Sequence, residues 1–140
     1  MTVSTRFTVA LHILTLLASS QDEPLTSEYI AGSINTNPVV VRRLLAHLKK
    51  KRFVSSQPGN GGGWRLSVDP SSITLFDVRH AVNEGSPFAM HSRPPNPACP
   101  VGRNIQGALS RLYDEAERAM EEKLAETTVK ALLLSVQARQ

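Results

Sequence analysis

The chain has 140 residues, 41 % hydrophobic and 20 % charged, with a formal net charge of +4. That length is enough for one domain with a real core. One cysteine excludes an internal disulfide and no apolar run reaches membrane-spanning length, so a cytoplasmic protein without membrane contact is expected.

The charge is uneven. Residues 1–68 carry eight Lys or Arg against three acids, while residues 69–140 carry eight against nine. A polyanionic partner should therefore meet the first half.

Residues 5–18 read as an amphipathic helix, with Phe7, Ala10, Leu11, Leu14, Leu17 and Ala18 on one face. Val9–Ala18 resembles the core of a signal peptide, but His12 interrupts it and the same residues are needed for the core. Arg6, near the helix start, is a candidate phosphate contact, or else a solvated terminal charge. A polar loop over Gln21–Pro24 leads to a short helix capped by Thr26 or Ser27.

Gly32 to Thr36 breaks that helix. Asn37 then caps a longer one, with Pro38 at its first position, where a missing N–H costs nothing. Val41, Leu44, Leu45 and Leu48 make its inward stripe, and Arg42, Arg43 and His47 fall outside it. Lys49, Lys50, Lys51 and Arg52 suit its C-terminal dipole. Two short strands, Arg52 to Ser56 and Trp64 to Val68, flank a flexible tip of Pro58, Gly59, Asn60 and Gly61–Gly63. From Tyr29 through Val68 there are seven Lys or Arg and no acid. A basic helix followed by a glycine-tipped basic hairpin suits a major groove and a wing along the backbone. The simpler alternative is a solvated helix with a loose turn.

Thr74 caps the next helix, with Asp77 in the capping-box position and Ile73 and Val78 placed as a hydrophobic staple. That helix should reach about Asn83, with Gly85 as its stop. Ser86–Gly102 holds five of the nine prolines and reads as a linker or extended loop. A long helix follows from Arg103, with an apolar stripe of Ile105, Leu109, Leu112, Ala116 and Met120. A second copy of the chain is the simplest cover for that stripe; folding back on its own domain is the alternative. Thr127 or Thr128 caps a last short helix.

The fold class expected is mostly α with a small β-hairpin wing, a winged helix-turn-helix, plus a long C-terminal dimerisation helix. Residues 1–85 form the DNA-binding domain, 86–102 the proline-rich loop, and 103–140 the dimerisation and terminal helices. No enzyme is expected. The glycine tip lacks the Gly-Lys-Ser/Thr of a phosphate loop, no nucleophile-elbow motif is present, and His12, His47, His80 and His91 lack metal-ligand spacing. No metal or cofactor is expected.

The run Ser4-Thr5-Arg6 into a helix, the unit Ile30–Leu48, the hairpin Phe53–Ser56 with Gly61-Gly62-Gly63-Trp64-Arg65-Leu66, and Ile73-Thr74-Leu75-Phe76-Asp77-Val78 resemble the Rrf-two (BadM-type) family of bacterial transcription regulators. The resemblance implies a dimeric winged-helix regulator, usually a repressor, paired through the long helix. Three positions depart from the family pattern. Pro58 stands where many members carry a minor-groove arginine. Arg42 and Arg43 stand where some carry an acid or amide, which points to guanine as a target. Only Cys99 stands where cluster-bearing members have three cysteines, and one thiolate cannot hold an iron–sulfur cluster. The chain is therefore similar to the clusterless, YwnA-like branch.

Under this reading the partners are double-stranded DNA, with a palindromic operator, and a second copy of the chain. Asn37, Val39 and Val40 lie near base edges. Arg42 and Arg43 touch bases or phosphates. Lys49, Lys50, Gln57, Gly59, Asn60 and Gly61 meet the backbone. Cys99 is either a thiol sensor at a helix N-terminus, a position that favours thiolate chemistry, or a small packed hydrophobe. A small effector is the other candidate signal. The rival function is a winged helix used only for protein contact.

Overall fold

The computed structural model describes residues 4–140. Helices α1 (Arg6–Ser19), α2 (Ser27–Ile34) and α3 (Pro38–Lys50) are followed by strands β1 (Val54–Gln57) and β2 (Gly63–Leu66). A single turn over Pro70–Ser72 leads into α4 (Leu75–Ala81), α5 (Pro100–Glu126) and α6 (Val129–Gln137). This is the helix-turn-helix with a two-stranded wing and a long late helix that the sequence implied.

Local chemistry sets most boundaries. The Asn37 side chain accepts from the Val39 N–H at 2.8 Å, and Pro38 opens α3. Thr74 and Asp77 form a reciprocal capping box at 3.0 and 3.1 Å. Ile73 and Val78, on either side of it, are both fully buried. Asn35, at φ 62, ends α2 and makes the tight turn into α3.

Several boundaries differ from the sequence reading, among them β2, which spans Gly63–Leu66 rather than Trp64 to Val68. The first strand begins at Val54 because Arg52 takes a left-handed φ of 64 and Phe53 N–H bonds Leu48 O. α4 stops at Ala81, and Asn83 at φ 53, rather than Gly85, makes the left-handed turn after it. α5 begins at Pro100 rather than Arg103, since a proline is tolerated in a first turn.

Contacts divide the chain into two units: residues up to Glu84 with Leu124–Gln140, and Gly85–Lys123. In the first, Ala10, Ile13, Leu14 and Leu17 of α1 meet Ile30 of α2, Val41, Leu44, Leu45 and Leu48 of α3, Val78 of α4 and Val129 of α6, all essentially buried. Each buried Leu, Ile or Val side chain among them contributes roughly 1.5–3 kcal/mol. The sequence reading grouped α6 with the long helix. The structure instead seats it here: Val129 N–H bonds Ile73 O and Leu75 N–H bonds Thr127 O, both at 2.9 Å, and Val129 and Leu133 fill the core.

In the second unit, Phe88 stacks on Tyr113 with centroids 4.8 Å apart. No residue of α5 is buried, and Leu112 is 58 % exposed. Arg111 and Glu115 form the expected i,i+4 pair at 3.6 Å. No described helix is long and apolar enough to cross a membrane.

Candidate nucleic-acid interface

α3 turns Val41, Leu44, Leu45 and Leu48 into the core, so the helix period sends Val39, Val40, Arg42 and Arg43 outward. Val39 and Val40 are 53 % and 38 % exposed in its first turn. Asn37 spends its carbonyl oxygen on capping, so its first role is to start the helix.

Arg42 is not a bare cation. Its Nη2 donates to Glu28 Oε1 of α2. Sequence reasoning missed this partner because the two residues lie 14 apart across a turn. The signal was available: Glu28 is the last acid before the acid-free stretch. At the other end of α3, Lys49 Nζ donates to Ser56 Oγ of β1 at 3.3 Å and stands 5.9 Å from the Trp64 ring centroid of β2. Lys49 thus ties the helix to the wing. Lys50 is exposed beside it.

The strands pair antiparallel, Val54 with Leu66 through Gln57 with Gly63. Gln57, Gly59, Asn60 and Gly61 form the exposed tip, closed by Gly62 N–H to Gly59 O at 3.0 Å. The root of the wing is held by contacts that the sequence did not reveal. Leu25 and Trp64 exchange backbone hydrogen bonds at 3.0 and 2.7 Å, and Arg65 donates to the carbonyls of Gln21 and Asp22. The polar look of Gln21–Pro24 concealed a segment that borders the hairpin.

Arg6 is committed elsewhere. Its Nη2 donates to Asn83 O at 3.2 Å and lies 3.9 Å from Glu84 Oε1, while Glu84 Oε2 accepts from the Phe7 N–H. A carboxylate thus already sits at the α1 N-terminus, beside the Arg6 guanidinium.

Residues 3–134 match the profile of the Rrf2 family, described as iron-dependent transcriptional regulators. The chain belongs to the Rrf2 family. YwnA of Bacillus subtilis (strain 168), named as a candidate HTH-type transcriptional regulator, is 45 % identical over 132 residues, 94 % of this chain and 96 % of its own length. A crystal structure of a candidate DNA-binding protein is similar with a TM-score of 0.72 at 42 % identity, covering 91 % of this chain and 98 % of that one. T. potens IscR matches with a TM-score of 0.76 over all of this chain and 91 % of its own; at 22 % identity that likeness concerns the fold. The family and YwnA are described as transcriptional regulators, not as enzymes.

The iron in the family description does not fit this chain's donors. Cys99 is the one cysteine, it is exposed, and no group of three or more His, Cys, Asp or Glu is gathered among the described residues. Iron–sulfur clusters need several thiolates. Cys99 instead precedes Pro100 and accepts the Gly102 N–H on its sulfur at 3.5 Å, which places it as the cap of α5.

Proposed function

We propose that this Rrf2-family protein reads a specific, palindromic site in double-stranded DNA and acts there as a homodimeric repressor in the cytoplasm. The observation that supports it most is the first turn of α3, where two adjacent valines stand exposed before two arginines. Exposed aliphatic side chains there have thymine methyl groups as natural counterparts, and arginine pairs with guanine edges. Lys49, Lys50 and the tip residues Gln57, Gly59, Asn60 and Gly61 then follow the phosphates. Arg6, held by Asn83 and Glu84, is left out of the interface.

The stripe Ile105, Leu109, Leu112, Ala116 and Met120 joins two copies, and two-fold symmetry of the protein asks for two-fold symmetry in the operator. Leu112→Lys should therefore convert a dimer to a monomer in light scattering and weaken DNA binding with it.

Cys99, exposed at the cap of α5, is the candidate point for thiol control. Its modification would act on the start of the pairing helix. Cys99→Ser should bind DNA normally and keep it under an oxidant that releases the wild type.

The direct test of the reading helix is Arg43→Ala, alone and with Arg42→Ala. Loss of a specifying arginine should cost about 1–3 kcal/mol and blur site preference. Unchanged affinity and selectivity in both variants would contradict the assignment.

A further inference from the structure

Of the six asparagines, Asn60 at the tip of the wing alone precedes a glycine. The backbone nitrogen of the following residue can attack an asparagine amide carbon, and glycine hinders this least because it has no Cβ. Asn37 and Asn96 precede prolines, which have no N–H to give up, and Asn37, Asn96 and Asn104 hold their side chains in hydrogen bonds. The tip leaves the reaction open. Asn60 and Gly61 are the central residues of the turn, which is closed by the Gly62 N–H and Gly59 O at 3.0 Å. Among the described residues neither the Asn60 side chain nor the Gly61 N–H makes a hydrogen bond. Both residues are exposed, Gly61 has φ 76, and nothing beyond its chain neighbours lies within 4 Å of where a Gly61 side chain would begin.

We propose that Asn60 is a site of spontaneous deamidation that weakens the hold of the wing on DNA. The Gly61 nitrogen gives up its proton and bonds Asn60 Cγ; the Cγ–Nδ2 bond breaks and the side-chain nitrogen leaves as ammonia. Water then opens the five-membered imide at either carbonyl carbon. The product is aspartate or, with the chain rerouted through Cβ and Cγ, isoaspartate. The sum is water consumed and ammonia released, with no oxidant, reductant or enzyme. Either product sets a carboxylate on the tip assigned above to the phosphates, and the effect on DNA rests on that assignment. Repulsion between carboxylate and phosphate takes no account of base sequence, so every duplex is bound less well. The turn lies beyond the last strand pair, Gln57 with Gly63, and contributes nothing to the core, so the fold survives the change. Contact with phosphates restrains the tip and slows ring closure. Unbound copies therefore lose affinity with age, while bound copies keep it.

Wild type, Asn60→Gln and Asn60→Asp are held at mildly alkaline pH for several days, the wild type also with a duplex it selects from a random pool. Tryptic peptide masses locate the amide-to-acid change, and isoaspartyl methyltransferase labels the rerouted product. Fluorescence anisotropy reads affinity for the selected duplex and a scrambled one. The change should appear at Asn60 ahead of every other asparagine, and more slowly with DNA present. Wild-type affinity should fall roughly three- to tenfold on both duplexes, less at high salt, while urea unfolding stays as in fresh protein. Asn60→Gln, whose longer side chain closes a ring far more slowly, should keep its own starting affinity, and Asn60→Asp should begin at the reduced level. Modification at Asn60 no faster than elsewhere would overturn the site, and equal rates with and without DNA would overturn the protection. Equal loss in aged Asn60→Gln, full affinity in modified wild type, or a lowered unfolding midpoint would overturn the effect of charge on binding. Fresh wild type that binds neither duplex would instead overturn the DNA-reading role, with the peptide masses still deciding the chemistry.

Discussion

The Lys49 ammonium stands 5.9 Å from the centroid of the Trp64 ring and donates to Ser56 at 3.3 Å, so one side chain from the last turn of α3 touches both strands of the wing. Lys49 thus bridges reader and wing while also facing solvent. Lys49→Gln should lower unfolding free energy by no more than about 1 kcal/mol, since cation–π and exposed polar contacts are each small. On DNA the same change should weaken all sequences alike and make the salt slope shallower by about one. Urea titration and anisotropy at two salt concentrations measure the two effects separately.

The wing root is a point of close backbone approach. Gly63 has φ 148, and a Cβ there would lie 2.6 Å from the Leu25 carbonyl oxygen. Gly63→Ala should destabilise by about 1–3 kcal/mol, through backbone strain and loss of the Leu25–Trp64 bridge. Gly32 lies within α2 with nothing near its missing Cβ. Gly32→Ala should stabilise by about 0.5–1 kcal/mol. Opposite signs in paired urea titrations are the expected outcome.

Thr74 starts α4 with its side chain and, through its bridge to Thr128, borders the start of α6. Thr74→Ala should cost about 1 kcal/mol, the usual value of an N-cap. Thr74→Ser should recover most of it, because the hydroxyl acceptor is restored. Thermal or urea unfolding of the three proteins checks this.

Asp69 provides the pH dependence. The Ser71 hydroxyl at 2.7 Å and the Ser71 N–H at 2.8 Å both donate to its carboxylate and hold its pKa below the ordinary 3.8, with attraction from Lys130 adding to this. The ionised form is favoured in the folded chain, so the contribution is fully present above the unfolded carboxyl's pKa. It disappears as pH falls through the lower folded value. Asp69→Asn should be less stable than wild type at neutral pH. The two melting temperatures should converge at pH values well below 3.8.

Much of the fold was legible because the deciding signals were local. Asn37-Pro38, Thr74 with Asp77, and the apolar stripes of α1 and α3 each specify an element from residues within one or two turns. What was hidden depends on residues distant in sequence. The Leu25–Trp64 bridge, the Arg65 bonds to Gln21 and Asp22, and the seat of α6 beside Ile73 have no sequence period to announce them. Pro100 read as part of a proline-rich loop because its neighbours are prolines, although a proline suits the first turn of a helix. On the candidate interface, outward positions of α3 followed from its inward stripe. The partners of Arg6 and Arg42 did not, since Glu84 and Glu28 reach them from other elements.

The central claim is that this surface reads DNA sequence. The most direct measurement is fluorescence anisotropy of the wild type with the DNA upstream of its own gene, against a scrambled duplex, at two salt concentrations. Tight, selective binding with a steep salt slope is the predicted result. Absence of binding to either duplex at low salt would contradict the claim and favour a winged helix that meets another protein.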